Sequence, residues 1–203
     1  MYASLPEYLF TMNDTTLSCD IFASAELDWQ TPHQTIRVTE QTDYPYDSHI
    51  SLKFDMETAQ DFTLRVRIPH YVDGDVSLKL NGEEIAVGKP GSYAVIFRHW
   101  QPGDKLEFDL PFTFCEHSYV GEHDVEGYSR SAYMYGPVLL AIVGERSHEN
   151  GIPVPGTPGE FTSRLRPNGK PLHFDIDGMP GYEVVPYFEI QEESFVCFPM
   201  FKK

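Results

Sequence analysis

Six ionisable residues crowd into one short stretch: Glu116, His117, Glu122, His123, Asp124 and Glu126. Histidine beside carboxylates is the composition of a metal site or a proton relay. The spacing fits neither: His117 and His123 stand six apart, and no HExxH or HxH pattern occurs. The stretch therefore also reads as a solvated acidic loop, or as the edge of an interface or ligand site. Paired carboxylates are the second chemistry to weigh, because glycoside hydrolysis uses two, set about 5 Å or about 6.5–9.5 Å apart. Asp43, Asp47, Glu107 and Asp109 fall in turns or strands, where outward charge is the ordinary expectation, and with 31 acidic residues some pair meets either distance by chance.

Trp100 ends a strand-like segment ahead of the Pro102-Gly103 turn, where an indole either stacks on a sugar or caps the core. Trp29 reads as a less constrained loop residue open to a neighbouring domain or a sugar. Cys19, Cys115 and Cys197 form no CxxC or CxH spacing and read as small core hydrophobes. Gly-x-Ser-x-Gly and glycine-rich phosphate loops are missing from the sequence, which leaves no support for Ser-His-Asp hydrolysis or nucleotide binding. The residues themselves assign no catalytic, cofactor-binding or metal position.

The elements that must carry these residues are strands. In the segment 62–111, Phe62, Leu64, Val66 and Ile68 alternate with Thr63, Arg65 and Arg67. Val76, Leu78 and Leu80 repeat the pattern, followed by Tyr93, Val95 and Phe97, then by Leu106, Phe108 and Leu110. A period of two would scatter these side chains around a helix, so the segment predicts a half-buried antiparallel sheet. Asn81-Gly82 is a type I′ hairpin signal, and Pro90-Gly91 and Pro102-Gly103 mark later turns. Upstream, Leu5–Met12 and Thr16–Phe22 read as a hairpin, Ser24–Trp29 as one helical turn, and 35–42 and 50–54 as strands with Ile36 and Val38 inward.

After Pro111 the character changes. Residues 113–130 are polar without a clear period, and Ala132–Val143 is an apolar run that predicts one strand covered on both faces. Residues 144–171 hold Pro153, Pro155, Gly156, Pro158 and Gly159 and predict a long irregular loop. Tyr182–Ile190 and Ser194–Phe201 read as a closing hairpin. The expectation is an all-β chain with very little helix, built as antiparallel β-sandwiches: residues 1–112 as one domain and 113–203 as a second, sandwich-like one.

Bulk composition narrows the partners. With 15 Lys and Arg against 31 Asp and Glu, the net charge of -16 repels phosphate backbones and anionic membranes, so neither nucleic acid nor membrane is expected. Aromatic content of 14% beside many carboxylates suits the handling of neutral sugars. The sequence shows neither a basic start followed by an apolar run nor an apolar stretch of about 20 residues, so it reads as soluble, with its compartment not encoded.

Several phrases together resemble the C-terminal β region of glycoside hydrolase family 127, the β-L-arabinofuranosidases. They are Ala3-Ser4-Leu5-Pro6-Glu7-Tyr8, Phe22 through Trp29 (FASAELDW), Thr42-Asp43-Tyr44-Pro45-Tyr46, Leu64 through Pro69 (LRVRIP), Leu80-Asn81-Gly82, the Trp100 to Asp104 turn and Tyr135 through Leu139 (YGPVL). The resemblance implies that cleavage belongs to an N-terminal (α/α)6 barrel holding a cysteine nucleophile in a Zn²⁺ site. The paired cysteines of that site precede the Ser-Leu-Pro phrase, so the chain is expected to be cut just downstream of them. Cys19, Cys115 and Cys197 match no part of that motif, and no catalytic residue or cofactor is carried onto this chain.

Three roles follow as expectations. One is a non-catalytic sandwich that buries a face against the helical barrel of the same protein and supports homodimer contacts. Another is a free-standing carbohydrate-binding sandwich using exposed aromatics such as Trp29 or Tyr46. The last is a small hydrolase built on the 116–126 cluster.

Overall fold

The computed structural model describes residues 8–122 and 125–203. It is all-β, and the chain divides between Phe112 and Thr113 into two compact units. No helix among the described residues is long and apolar enough to cross a membrane.

The first unit stacks two sheets. One has the order β1-β2-β6-β9, from β1 (Phe10–Met12), β2 (Thr16–Cys19), β6 (Gln60–Ile68) and β9 (Ser92–Trp100). The other runs β3-β4-β5-β10-β7-β8, from β3 (Ala25–Gln30), β4 (Thr35–Gln41), β5 (His49–Asp55), β7 (Val76–Leu80), β8 (Glu83–Gly88) and β10 (Lys105–Asp109). Alternation decides what faces inward. Phe62, Leu64, Val66 and Ile68 of the first sheet meet Ile36, Val38, Leu52 and Phe54 of the second in one buried core. Each large side chain so buried contributes about 1.5–3 kcal/mol. Asn81 (φ 50°) and Gly82 (φ 89°) take the two positive φ values that a type I′ turn between β7 and β8 requires. The first sheet is not wholly antiparallel, because β2 runs parallel to β6 with Thr16 opposite Thr63.

Three expectations for this unit need correction. In β9 the inward side chains are Ala94 and Ile96, while Tyr93, Val95 and Phe97, the apolar set of the expected alternation, face outward. Ser24–Trp29 is no helical turn: Ala25–Gln30 is a strand in full register with β4, Leu27 opposite Val38 and Trp29 opposite Ile36. Nor is Trp29 an open loop residue. It is 1% exposed, its ring packs edge-on to Phe62, and its Nε1–H donates to the Asn13 carbonyl at 2.9 Å. The second strand of the first hairpin stops at Cys19, and residues 20–24 cross from one sheet to the other. Part of the expected Leu5–Met12 strand lies outside the described residues.

In the second unit, β11 (Phe114–Ser118), β12 (Tyr128–Tyr135), β13 (Val138–Val143), β14 (Pro153–Val154), β15 (Leu165–Pro167), β16 (Phe174–Ile176), β17 (Glu183–Pro186), β18 (Phe195–Val196) and β19 (Met200–Lys202) form a branched sheet. Its main path is β14-β19-β12-β13-β17-β16-β15; β11 adds to β12, and β18 to β13. Tyr133, Leu140, Ile142, Phe161, Val184 and Phe201 belong to its own core.

Here the chain departs from expectation in four places. The apolar run 132–143 is a hairpin rather than one strand, with Tyr135 opposite Val138 and Gly136 at φ 56°, the first loop position that type II′ turns reserve for glycine. The polar stretch 113–130 contains a regular strand, β11. Residues 144–171 are not structureless, since a 3-10 helix spans Pro158–Arg164 and buries Phe161. The last two segments do not pair with each other: β17 lies beside β13 and β16, whereas β19 lies antiparallel to β12 and parallel to β14.

Candidate functional site

Strand register gathers three of the four singled-out carboxylates around a residue that sequence reading passed over. On the outer face of the six-stranded sheet, β5 and β10 pair with His49 opposite Asp109 and Ser51 opposite Glu107. His49 Nδ1 lies 3.0 Å from Asp109 Oδ1, and His49 Nε2 lies 3.6 Å from Glu107 Oε1. The backbone N–H of His49 donates to Asp47 Oδ1 at 3.1 Å, and Lys105 Nζ donates to Glu107 Oε1 at 2.6 Å. Two open depressions flank the histidine. One of about 420 Å³ is lined by Asp75, Ser77, Lys79, Glu107 and Asp109, and one of about 370 Å³ by Ser24, Asp43, Asp47, Ser51 and Lys105.

The chemistry available there is limited by exposure and by charge pairing. The hydrogen bond and positive charge of Lys105 hold the Glu107 carboxyl below its ordinary value, so Glu107 stays ionised. A glycosidic general acid needs the opposite, a carboxyl raised by burial or by a like charge. The grouping resembles the other pairs on this face, Arg37 with Asp28 at 2.8 Å and Lys53 with Asp55 at 2.8 Å. Each is a cross-strand or same-strand ion pair on a wet surface.

The 116–126 cluster is spread along a strand and a loop. Glu116 and His117 lie exposed on β11, where Glu116 Oε1 accepts the Ser131 hydroxyl at 2.7 Å. Glu122 and Glu126 are exposed, and His123 and Asp124 lie outside the described residues. Among the described residues, no three His, Cys, Asp or Glu side chains are grouped to hold a metal ion. Trp100 is fully buried in the sandwich core, and Cys115 is exposed rather than a core residue.

Two further ionisable groupings escaped the sequence. In the second unit His173 is 9% exposed and sits between Glu183 Oε1, 2.6 Å from Nδ1, and Glu189 Oε2, 2.9 Å from Nε2. In the first unit Glu40 is buried beside Cys19. Alternation signals the second, because Glu40 follows Ile36 and Val38 at the inward period; the first depends on long-range contacts and has no local signal.

The outer face of the four-stranded sheet is of another kind. On β9, a sheet edge among the described residues, Tyr93, Val95 and Phe97 are 38%, 60% and 72% exposed and share one face. Arg65 lies over the Tyr93 ring at 4.6 Å, and the Tyr93 hydroxyl donates to Asp20 Oδ1 at 2.7 Å.

Comparison with known proteins places these features in a family context. The model of a family described as Beta-L-arabinofuranosidase, GH127 middle domain, matches residues 16–112. No curated protein matches the chain. A solved GH127 β-L-arabinofuranosidase from Geobacillus stearothermophilus T6 is similar, with a TM-score of 0.69 and 19% identity over 98% of this chain and 36% of its own. A second solved GH127 β-arabinofuranosidase gives a TM-score of 0.71 at 19% identity, over 98% of this chain and 36% of its own. A third structure, described only as a glycoside hydrolase, gives 0.68 at 15% identity over 97% of this chain and 37% of its own. At such identities the likeness is one of fold, and this chain spans little more than a third of their length.

Proposed function

We propose, from the premise that residues 16–112 carry the GH127 middle-domain pattern, that this chain serves as a non-catalytic β-sandwich portion of a longer β-L-arabinofuranosidase-like glycosidase. Its task is mechanical. One face packs against an (α/α)6 catalytic barrel, which supplies the nucleophile and its Zn²⁺ site, and homodimer contacts are a second use of its surface.

The observation that carries this reading is where the ionisable groups stand. The matched segment is a sandwich with a closed apolar core, and the carboxylates around His49 are open to solvent and already engaged with His49 or Lys105. The docking face this supports is the outer side of the four-stranded sheet. It is led by Val95 and Phe97, and an exposed apolar row on an edge strand is ordinarily covered in a working assembly.

The alternative, a free-standing sugar-binding module, draws less support from the same face. A sugar platform needs ring faces open for stacking, and the face of Tyr93 is already taken by the Arg65 guanidinium.

Incubating the purified chain with an aryl β-L-arabinofuranoside, with and without Zn²⁺, tests the role. No turnover is expected. Turnover that persists through purification and disappears in Glu122→Gln or Glu126→Gln overturns the non-catalytic reading. Retardation of the chain in gels containing arabinan, abolished in Phe97→Ser, favours the binding module instead.

A further inference from the structure

The inward period of β4 runs Ile36, Val38, Glu40. A carboxyl thus occupies a position where the pattern calls for an aliphatic side chain, and Glu40 is 1% exposed. Its neighbours do little to compensate. Oε2 accepts the Cys19 thiol at 3.6 Å, the Ala23 backbone N–H also reaches the carboxyl, and Oε1 has no hydrogen-bond partner.

Position makes the pair consequential. Cys19 ends β2 in the four-stranded sheet and Glu40 belongs to β4 in the six-stranded sheet, so the contact spans both layers. Ala23 lies on the segment 20–24 that carries the chain between those layers. The carboxyl therefore lies against that crossing from inside, while the Ser24 hydroxyl donates to the Thr42 carbonyl at 2.8 Å from outside.

A buried carboxylate is tolerated when a cation or several donors surround it, and is otherwise protonated. The groups that bear on this pair are one thiol, one amide and the Asp20 carboxylate, with no cation among the described residues. We propose that Glu40 is carried as a neutral carboxylic acid at the interface of the two sheets, and that its ionisation is a built-in pH switch that loosens the crossing at residues 20–24.

The direction of the effect follows from burial, which pushes the Glu40 carboxyl up to about 8 against its ordinary 4.5. Burial also lifts the Cys19 thiol well above its usual range, so the thiol stays protonated and cannot relieve the acid. Between those two Glu40 values the folded chain holds one more proton than the unfolded chain. Stability from this group is complete below the unfolded value and is lost as pH rises toward the folded one, after which it levels off.

Two measurements test the switch. The side-chain carbon-13 resonance of Glu40 in the wild-type chain, followed by NMR, is expected to titrate with a midpoint above about 7, where an ordinary glutamate titrates near 4.3. Chemical denaturation of wild type and Glu40→Gln across the same range is expected to show the wild-type folding constant falling, relative to the amide variant, by up to about tenfold per pH unit. The amide keeps an acceptor for the thiol and cannot ionise. A midpoint below about 6 overturns the proposal, as do denaturation curves that stay parallel. The NMR arm needs no substitution, so it stands even if the variant fails to fold.

Discussion

The Trp100 indole lies nearly parallel to the Phe62 ring, centroids 5.0 Å apart and planes 10° apart, and its Nε1–H donates to the Phe62 carbonyl at 3.1 Å. Phe54, from the opposing sheet, tilts against both rings. One strand-end side chain thus satisfies a buried carbonyl and joins the two layers.

Trp100→Phe should therefore cost about 1–3 kcal/mol, because the carbonyl loses its donor inside the core. Trp100→Ala should cost about 3–5 kcal/mol through the added cavity. Chemical denaturation with an unchanged m-value is the measurement.

His173 gives the second unit a pH dependence of its own. A neutral imidazole has one N–H, so hydrogen bonds to Glu183 and Glu189 from both ring nitrogens call for the protonated ring. Burial alone pulls the imidazole down, but the two carboxylates outweigh it and the net direction is up, while Glu183 is held below its ordinary value. This stability is present in full below the unfolded histidine value and is lost as pH rises through the raised folded one. His173→Gln should cost about 2 kcal/mol in mild acid and much less well above neutrality, read from hydrogen exchange in β16 and β17.

Val95 and Phe97 should behave as surface residues in the isolated chain. Replacing both with Thr leaves strand-favouring residues at both positions and should shift stability by no more than about 0.5 kcal/mol. Binding of an apolar-surface dye should nevertheless drop, and a large stability loss would mean that the row is already packed within this chain.

Gly88 marks a close approach between the layers. A Cβ there would lie 2.5 Å from Ile68 Cγ1 and 3.2 Å from Ala94 Cβ, both in the opposing sheet. Gly88→Ala should cost about 1–3 kcal/mol by overpacking, measured by thermal unfolding.

The fold was legible wherever one face is buried and the other wet. Leu64, Val66 and Ile68 wrote their period of two into the sequence because water and core alternate along β6. Ala25, Leu27 and Trp29 carried the same alternation, but the helix-favouring Ala-Glu-Leu run obscured a strand that pairs with β4. The hairpin at Gly136 was hidden by an apolar run whose two strands are both largely covered. The groupings at His49 and His173 join residues distant in the chain, whose meeting is set by register and turns rather than by local pattern.

The parallel pairing of β2 with β6 also orders events in time. The early hairpin β1–β2 has no sheet to join until residues 63–66 have been made and paired with β9. Closing so long a loop ahead of any contact that rewards it is slow. Strands β1 and β2 are thus among the last of this unit to settle, and refolding followed at Trp29, which bonds to the Asn13 carbonyl, should lag behind refolding followed at Trp100.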